Sequence, residues 1–151
     1  MTMKLNHEEV LQLLPHRSPM LMVDEVVEVT PLDSIVAKLY IDENWDMFNG
    51  HFPGDPVMPG VMAVEAMAQT VDCLIMTVPR YSKLTPLFAG IEKARFYKRI
   101  LPGQIVYLTA KVVDVDEMRD IITAKARLML FGENQEEPQV AAKSIIRIAM
   151  R

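Results

Sequence analysis

The segment from Gly50 to Gln69 contains two side chains suited to acid–base chemistry. The first is His51, which lies in a stretch that also holds Pro53, Pro56 and Pro59. Prolines restrict the backbone, and this lowers the entropic cost of holding an imidazole in place for proton transfer. His51 is therefore a candidate general base, with a purely structural or exposed loop histidine as the alternative.

The second side chain is Glu65, which lies in a mostly apolar segment with helical periodicity. Gln69 and Asp72 follow four and seven residues later, on the same side of that helix. Apolar surroundings favour the protonated form of a carboxyl group, so Glu65 could serve as a general acid that Gln69 orients. The alternative is a polar stripe that faces water or a subunit interface.

Gly60 stands at the start of this helix, directly after Pro59. An amide at a helix N-terminus is suited to a carbonyl oxygen that gains negative charge, although a glycine here could simply allow a tight turn. Several of the twelve methionines lie nearby and could fill the core or line an adaptable slot for an alkyl chain.

Other kinds of chemistry find no support in the sequence. His7, His16 and His51 lack the spacing of a zinc site, and no glycine-rich phosphate loop occurs. Cys73 is the only cysteine, and a position inside an apolar helix raises the pKa of a thiol, so neither a disulfide within the chain nor a nucleophile is expected. A net charge of −4 argues against binding to nucleic acid.

One basic cluster departs from this acidic average. It consists of Lys93, Arg95, Lys98 and Arg99, with aromatic residues between them. The cluster is either a solvated strand edge or a docking surface for an acidic partner protein.

The composition, 50% hydrophobic and 24% charged over 151 residues, predicts a single domain over 1–151. The first residues lack the apolar core of a signal peptide. The least charged stretch, from Val57 to Val78, contains too many polar residues and prolines for a membrane span. We therefore expect a cytoplasmic protein that does not cross a membrane.

The order of elements predicts an α+β domain, an antiparallel sheet wrapped around one long central helix. A short helix capped by Asn6 comes first, and a long loop over 42–59 precedes the central helix from about Gly60 to Met76. The predicted strands are Leu21–Val29, Ser34–Ile41, Leu87–Tyr97, Ile105–Val115, Ile121–Phe131 and Val140–Ala149.

The residues 51–61, HFPGDPVMPGV, followed by EAMAQ over 65–69, strongly resemble the signature of the 3-hydroxyacyl-[acyl-carrier-protein] dehydratases of fatty acid synthesis. The similarity extends upstream to LPHRSPMLMVD over 14–24. Downstream it includes AGIEKARF over 89–96 and Pro102-Gly103. It thus covers roughly the first hundred residues in order.

This resemblance implies a hot-dog fold and an active site that forms between the subunits of a homodimer. His51 would be the catalytic histidine, held by the backbone carbonyl of Val57, and Glu65 the catalytic acid of the opposite subunit. The Gly60 amide would bind the thioester carbonyl. The family typically assembles as a homohexamer, a trimer of such dimers.

The implied reaction is a lyase step of the fatty acid elongation cycle, the dehydration of (3R)-3-hydroxyacyl-[acyl-carrier-protein] to the trans-2-enoyl product. His51 would remove the C2 proton, and Glu65 would protonate the departing C3 hydroxyl. Phe52, Met58 and Met62 would line the acyl tunnel. No metal or redox cofactor is implied, because the acyl carrier protein supplies the 4'-phosphopantetheine arm and would dock on the basic cluster.

The resemblance also separates related activities. Gly54-Asp55 resembles the loop of the family branch that also isomerises the trans-2 double bond. Members of that branch have aspartate at the position of the catalytic acid. Glu65 at this position therefore indicates the branch that only dehydrates. In some members of this family a tyrosine gates the acyl tunnel, and Leu87-Phe88 occupies the corresponding region here. The alternatives are a hot-dog thioesterase, whose usual sites lack the His51–Glu65 arrangement, and a non-catalytic acyl-binding protein of the same fold.

Overall fold

The computed structural model describes residues 2–132 and 137–151. Three helices lie in this part of the chain, α1 (His7–Leu13), α2 (Met47–Gly50) and α3 (Gly60–Met76). The strands are β1 (Met3–Leu5), β2 (Glu25–Thr30), β3 (Ser34–Tyr40), β4 (Pro86–Phe96), β5 (Ile105–Asp116), β6 (Ile121–Leu130) and β7 (Gln139–Met150).

All strands belong to one antiparallel sheet with the order β1-β2-β3-β5-β6-β7-β4. The sheet wraps around α3, which contacts β3 through β7. From Ala63 onward every residue of α3 except Glu65 is buried. The predicted α+β architecture, with a sheet around one central helix, is therefore confirmed.

The loop from Leu14 to Asp24 lies against α3 and covers its polar stripe. Asn6 caps α1 in a capping box with Glu9, and α1 ends at Leu13, just before this loop. Met22 and Val23 of the loop are buried in the core. The loop that covers α3 thus follows directly after α1.

Three sequence predictions need correction. The strand predicted from Leu21 begins only at Glu25, because the backbone N–H of Met22 donates to the side chain of Gln69 instead of to a neighbouring strand. The loop predicted over 42–59 contains the one-turn helix α2. The short strand β1 was not predicted, since three residues are too few for an alternating pattern.

The strand β4 forms one edge of the sheet and carries large apolar side chains that remain exposed. Leu87, Phe88, Ile91 and Phe96 are between 40% and 53% exposed. A long apolar edge of this kind favours pairing with another chain. Within the described residues no helix has the length and apolarity needed to cross a membrane.

The burial of α3 leads to a stability prediction. Replacing the fully buried Met67 by alanine should lower the free energy of unfolding by about 2–5 kcal/mol, because a cavity is left in the core. In a chain of this size each kcal/mol lowers Tm by about 2–4 °C, which calorimetry measures directly. The same substitution at Met118, which is 98% exposed, is the matched control and should leave Tm nearly unchanged. Equal losses in both variants would contradict the position of α3 in the core.

Candidate active site

His51 is held by a reciprocal pair of hydrogen bonds with Val57. The Val57 N–H donates to the His51 carbonyl at 2.9 Å, and the His51 Nδ1 lies 2.8 Å from the Val57 carbonyl oxygen. A carbonyl only accepts, so Nδ1 carries the proton in the neutral ring and Nε2 is the nitrogen with the free lone pair. The loop therefore fixes both the orientation and the tautomer that a general base at Nε2 needs.

The neighbouring residues of this loop hold it in place. The Phe52 ring stacks on the His51 imidazole, with the ring centroids 4.0 Å apart, and remains 52% exposed. Met58 is buried, and its N–H donates to the carbonyl of Ile100 at 2.8 Å. The loop is thus fastened to the segment that follows β4.

Gly60 begins α3 in close contact with the end of β4. A Cβ at this position would lie 3.1 Å from Cε1 of Phe96, closer than ordinary van der Waals contact, so a larger residue would displace the ring. A groove of 430 Å³ runs beside this contact and is lined by Val57, Met58, Gly60, Ala63, Phe96, Tyr97, Lys98, Arg99 and Ile100. The first amides of a helix have no partner within it, and at Gly60 they lie next to this groove.

Glu65 is partly buried on α3, and its carboxylate is held by Gln69. The Gln69 Nε2 donates to Oε2 of Glu65 at 2.8 Å and to the carbonyl of Met20 at 2.8 Å, while its Oε1 accepts from the N–H of Met22 at 2.7 Å. Both N–H groups of the fully buried Gln69 amide are therefore used. Oε2 of Glu65 therefore accepts a hydrogen bond, and Oε1 makes none to a described residue.

Asp72 and His16 form a second polar pair. Asp72 lies on α3 about one helical turn after Gln69, and His16 lies in the covering loop. His16 Nε2 is 3.7 Å from Asp72 Oδ2, longer than a hydrogen bond. Asp72 Oδ1 and His16 Nδ1 are buried with no hydrogen-bond partner among the described residues. Burial raises the pKa of Asp72 and lowers the pKa of His16, and the charge of Glu65 adds to the first shift and opposes the second.

Within one protomer no hydrogen bond or ion pair between described residues joins His51 to Glu65. Met62, predicted to line the site, is partly buried and packs against the core. The structure thus places the predicted base in the loop after α2 and the predicted acid on α3, each with its own set of supporting hydrogen bonds.

The residues of the predicted basic cluster lie on β4 and in the segment that follows it. Lys98 and Arg99 line the groove beside Gly60, and Arg99 forms an ion pair with Asp55 at 3.0 Å. Arg95 is instead the register partner of Lys143 on β7. Lys93 lies in a separate concavity of 230 Å³ with the cationic residues Lys125, Arg127 and Lys143.

The Cys73 thiol is fully buried, and this burial raises its pKa far above the ordinary value. Across residues 2–132 and 137–151 no group of three or more His, Cys, Asp or Glu residues is arranged to hold a metal ion. The contact between His16 and Asp72 is the feature near the site that the sequence does not predict. Asp72 was recognised only as part of the polar stripe, because its contact with His16 joins distant parts of the chain.

Comparison with known proteins assigns the chain to a family. Residues 14–136 match the FabA-like domain family. The 3-hydroxyacyl-[acyl-carrier-protein] dehydratase FabZ of Enterococcus faecalis is 39% identical over 75% of this chain and 80% of its own length. The FabZ of Streptococcus pneumoniae is 38% identical over 95% of this chain and 96% of its own length.

The fold of this chain is also similar to folds in solved structures. The dehydratase heterocomplex ApeI:P from Xenorhabdus doucetiae contains a chain with a TM-score of 0.74 at 16% sequence identity, covering 94% of this chain and 90% of that chain. This likeness confirms the hot-dog fold. Together, the domain match over most of the chain and the relatives matched over most of their length show that this chain belongs to the FabZ-type 3-hydroxyacyl-[acyl-carrier-protein] dehydratase family, with its FabA-like domain.

Proposed function

We propose that this protein dehydrates (3R)-3-hydroxyacyl thioesters of acyl carrier protein to trans-2-enoyl thioesters, in the elongation cycle of cytoplasmic fatty acid synthesis. Its relatives bear the name of this activity. The observation that carries the proposal is the pair of fixed side chains, a histidine with a free Nε2 and a carboxyl group whose Oε1 is available to carry a proton.

In the proposed reaction His51 Nε2 takes a proton from C2 of the substrate, and Glu65 Oε1 gives a proton to the C3 hydroxyl group. The C3–O bond breaks, the C2–C3 double bond forms and water leaves. His51 ends protonated and Glu65 ends ionised, so a proton returned through the released water restores both groups. The step needs no metal or redox cofactor, and the 4'-phosphopantetheine arm comes with the carrier protein.

The thioester carbonyl gains negative charge as the C2 proton leaves. We propose that this oxygen binds the Gly60 amide at the N-terminus of α3, where the helix dipole also favours negative charge. The position of Gly60 supports this assignment, because the first amide of α3 lies beside the groove and a Cβ there would press on the Phe96 ring. The groove that reaches Gly60 would hold the arm, and Phe52, Met58 and Met62 would line the path of the acyl group.

We propose a homodimer as the active unit, three of which form a hexamer. His51 and Glu65 each have their own supports within one chain, and no hydrogen bond between described residues joins them. The apolar edge of β4 supplies a surface through which a second copy would extend the sheet. A two-fold axis then pairs His51 of each protomer with Glu65 of the other, which gives two identical sites.

The acyl carrier protein is the proposed partner, and Lys98 and Arg99 are the docking residues closest to the site. Both line the groove that leads to Gly60, so an acidic partner bound there could deliver its thioester directly. Lys93 and Arg95 would add attraction from the neighbouring face of β4.

Loss of either catalytic group should abolish dehydration. His51→Ala and Glu65→Gln should each lower kcat by about 10²–10⁴-fold, because general acid–base catalysis contributes about that much. Mass spectrometry and NMR of the products formed from a short 3-hydroxyacyl carrier-protein thioester measure this, with the exposed Glu117→Gln as the matched control. Full activity in His51→Ala would contradict the proposal, and release of a free acid would indicate a thioesterase.

The shared site predicts complementation between inactive variants. When equal amounts of His51→Ala and Glu65→Gln protein are unfolded and refolded together, half of the dimers are mixed, and each mixed dimer contains one complete site. Activity should then return to about a quarter of the wild-type value. No recovery, in a mixture whose dimers are shown by mass spectrometry to be mixed, would mean that both residues act from one protomer.

Charge reversal tests the docking surface. Lys98→Glu with Arg99→Glu should raise the apparent KM for the carrier-protein substrate by about tenfold or more, while the KM for a small N-acetylcysteamine thioester stays nearly constant. The exposed Lys83→Glu is the control and should change neither value. An equal rise for both substrates would show that these residues do not dock the carrier protein.

A further inference from the structure

The histidine loop, residues 51–57, has an exposed tip that one hydrogen bond joins to a distant part of the chain. Residues 52–56 are all exposed, so they gain little from packing against the core. Among the described residues, the only hydrogen bond that leaves this tip runs from Arg99 to Asp55. The Arg99 Nη2 lies 3.0 Å from the Asp55 Oδ1, so the bond joins opposite charges at hydrogen-bond distance.

Asp55 is linked through Phe52 to the imidazole of His51. The Phe52 N–H donates to the Asp55 carbonyl at 3.0 Å, and the Asp55 N–H donates to the Phe52 carbonyl at 2.8 Å. The Phe52 ring in turn stacks on the imidazole, with the ring centroids 4.0 Å apart. A shift of Asp55 is therefore passed through a closed backbone turn to the ring that lies against His51.

The imidazole thus has two supports of different kinds. The hydrogen bonds with Val57 set the tautomer of His51 and close the loop where it leaves the fold, but they do not reach the tip. The Phe52 ring limits the tilt of the imidazole from one face. This second support depends on where the tip lies, and so on Arg99.

Arg99 is itself held beside the loop by the backbone. The neighbouring Ile100 carbonyl accepts from the Met58 N–H at 2.8 Å, which fastens the segment of Arg99 to the residue directly after the histidine loop. Arg99 also lines the groove at the start of α3. A guanidinium group has five N–H donors, so the bond to Asp55 leaves Arg99 able to contact a further acidic group in this groove.

We propose that Asp55 and Arg99 are positioning residues for His51, because their ion pair fixes the tip of the histidine loop and thereby the imidazole. The inference rests on the proposed function, since it takes His51 to be the base that removes the C2 proton. Arg99 then acts on KM through docking and on kcat through Asp55. An exposed ion pair contributes little free energy, so its loss should lower kcat by about three- to fivefold.

Amide hydrogen exchange measured by NMR tests this support without any activity. In Arg99→Met, which keeps the side-chain stem and removes every donor, the amides of Phe52 and Val57 should exchange about three- to fivefold faster than in the wild type. Lys111→Met is the matched control. Lys111 is 60% exposed, as is Arg99, and pairs with Asp33. Its loss should leave both amides unchanged. Wild-type exchange rates in Arg99→Met would overturn the proposal.

Ionic strength gives a further test on the unaltered protein. Potassium chloride at about 1 M screens exposed charges that attract each other at about 0.02 M. The Phe52 amide of the wild type should therefore exchange faster at high salt and approach the rate of Arg99→Met, whose own rate should change little. The same response to salt in both proteins would contradict the proposal.

Kinetics with a small N-acetylcysteamine thioester separate positioning from docking, because this substrate has no carrier protein. Asp55→Ala and Arg99→Met should each lower kcat by about three- to fivefold with KM nearly unchanged, and the double variant should lose no more than either one. The exchanged pair, Asp55→Arg with Arg99→Asp, should recover most of kcat. Losses that add in the double variant, or no recovery in the exchanged pair, would show that the two residues do not act together.

The two proposals fail in different ways. If the positioning role is wrong, the wild-type protein dehydrates the small thioester, and Arg99→Met keeps both the wild-type kcat and the wild-type exchange rates. If the proposed function is wrong, no thioester loses water, and the positioning role falls with it whatever the exchange rates are.

Discussion

The side-chain amide of Gln69 is the interaction on which the rest of the site depends. It is fully buried, and its three hydrogen bonds join Glu65 on α3 to the backbone at Met20 and Met22 of the covering loop. A buried amide that loses one partner leaves an unpaired polar group, so the three bonds form or break together. This one residue therefore orients the carboxyl group, holds the loop against α3 and brings His16 next to Asp72.

The second half of the site follows a similar logic in a different element. Backbone groups, not side chains, hold His51, since the Val57 carbonyl sets the tautomer and the Val57 N–H closes the loop. No hydrogen bond between described residues joins the histidine loop to the acid on α3. In the proposed dimer a two-fold axis brings the histidine of one copy to the acid of the other, so assembly would be a condition for activity.

Much of this architecture could be predicted from the sequence because it depends on local patterns. The bounds of α3 follow from Pro59, Gly60 and the apolar periodicity, and the long strands from alternation. The errors have two physical sources, elements too short to show a pattern, as in β1 and α2, and long-range hydrogen bonding. Residues near Met22 have the composition of a strand, but the Met22 N–H is used by Gln69, which is distant in the sequence. For the same reason the stripe from Glu65 to Asp72 could be recognised on one helix, while its partner His16 could not be assigned to it.

The most direct test of the proposed site is a crystal structure of the assembled His51→Ala protein with a 3-hydroxyacyl thioester bound. We predict that the C3 hydroxyl lies about 3 Å from Glu65 Oε1 of one protomer, and that the thioester oxygen lies at hydrogen-bond distance from the Gly60 N–H of the other. A substrate whose hydroxyl group contacts neither carboxyl oxygen of Glu65, or whose two ends are held by a single protomer, would contradict it.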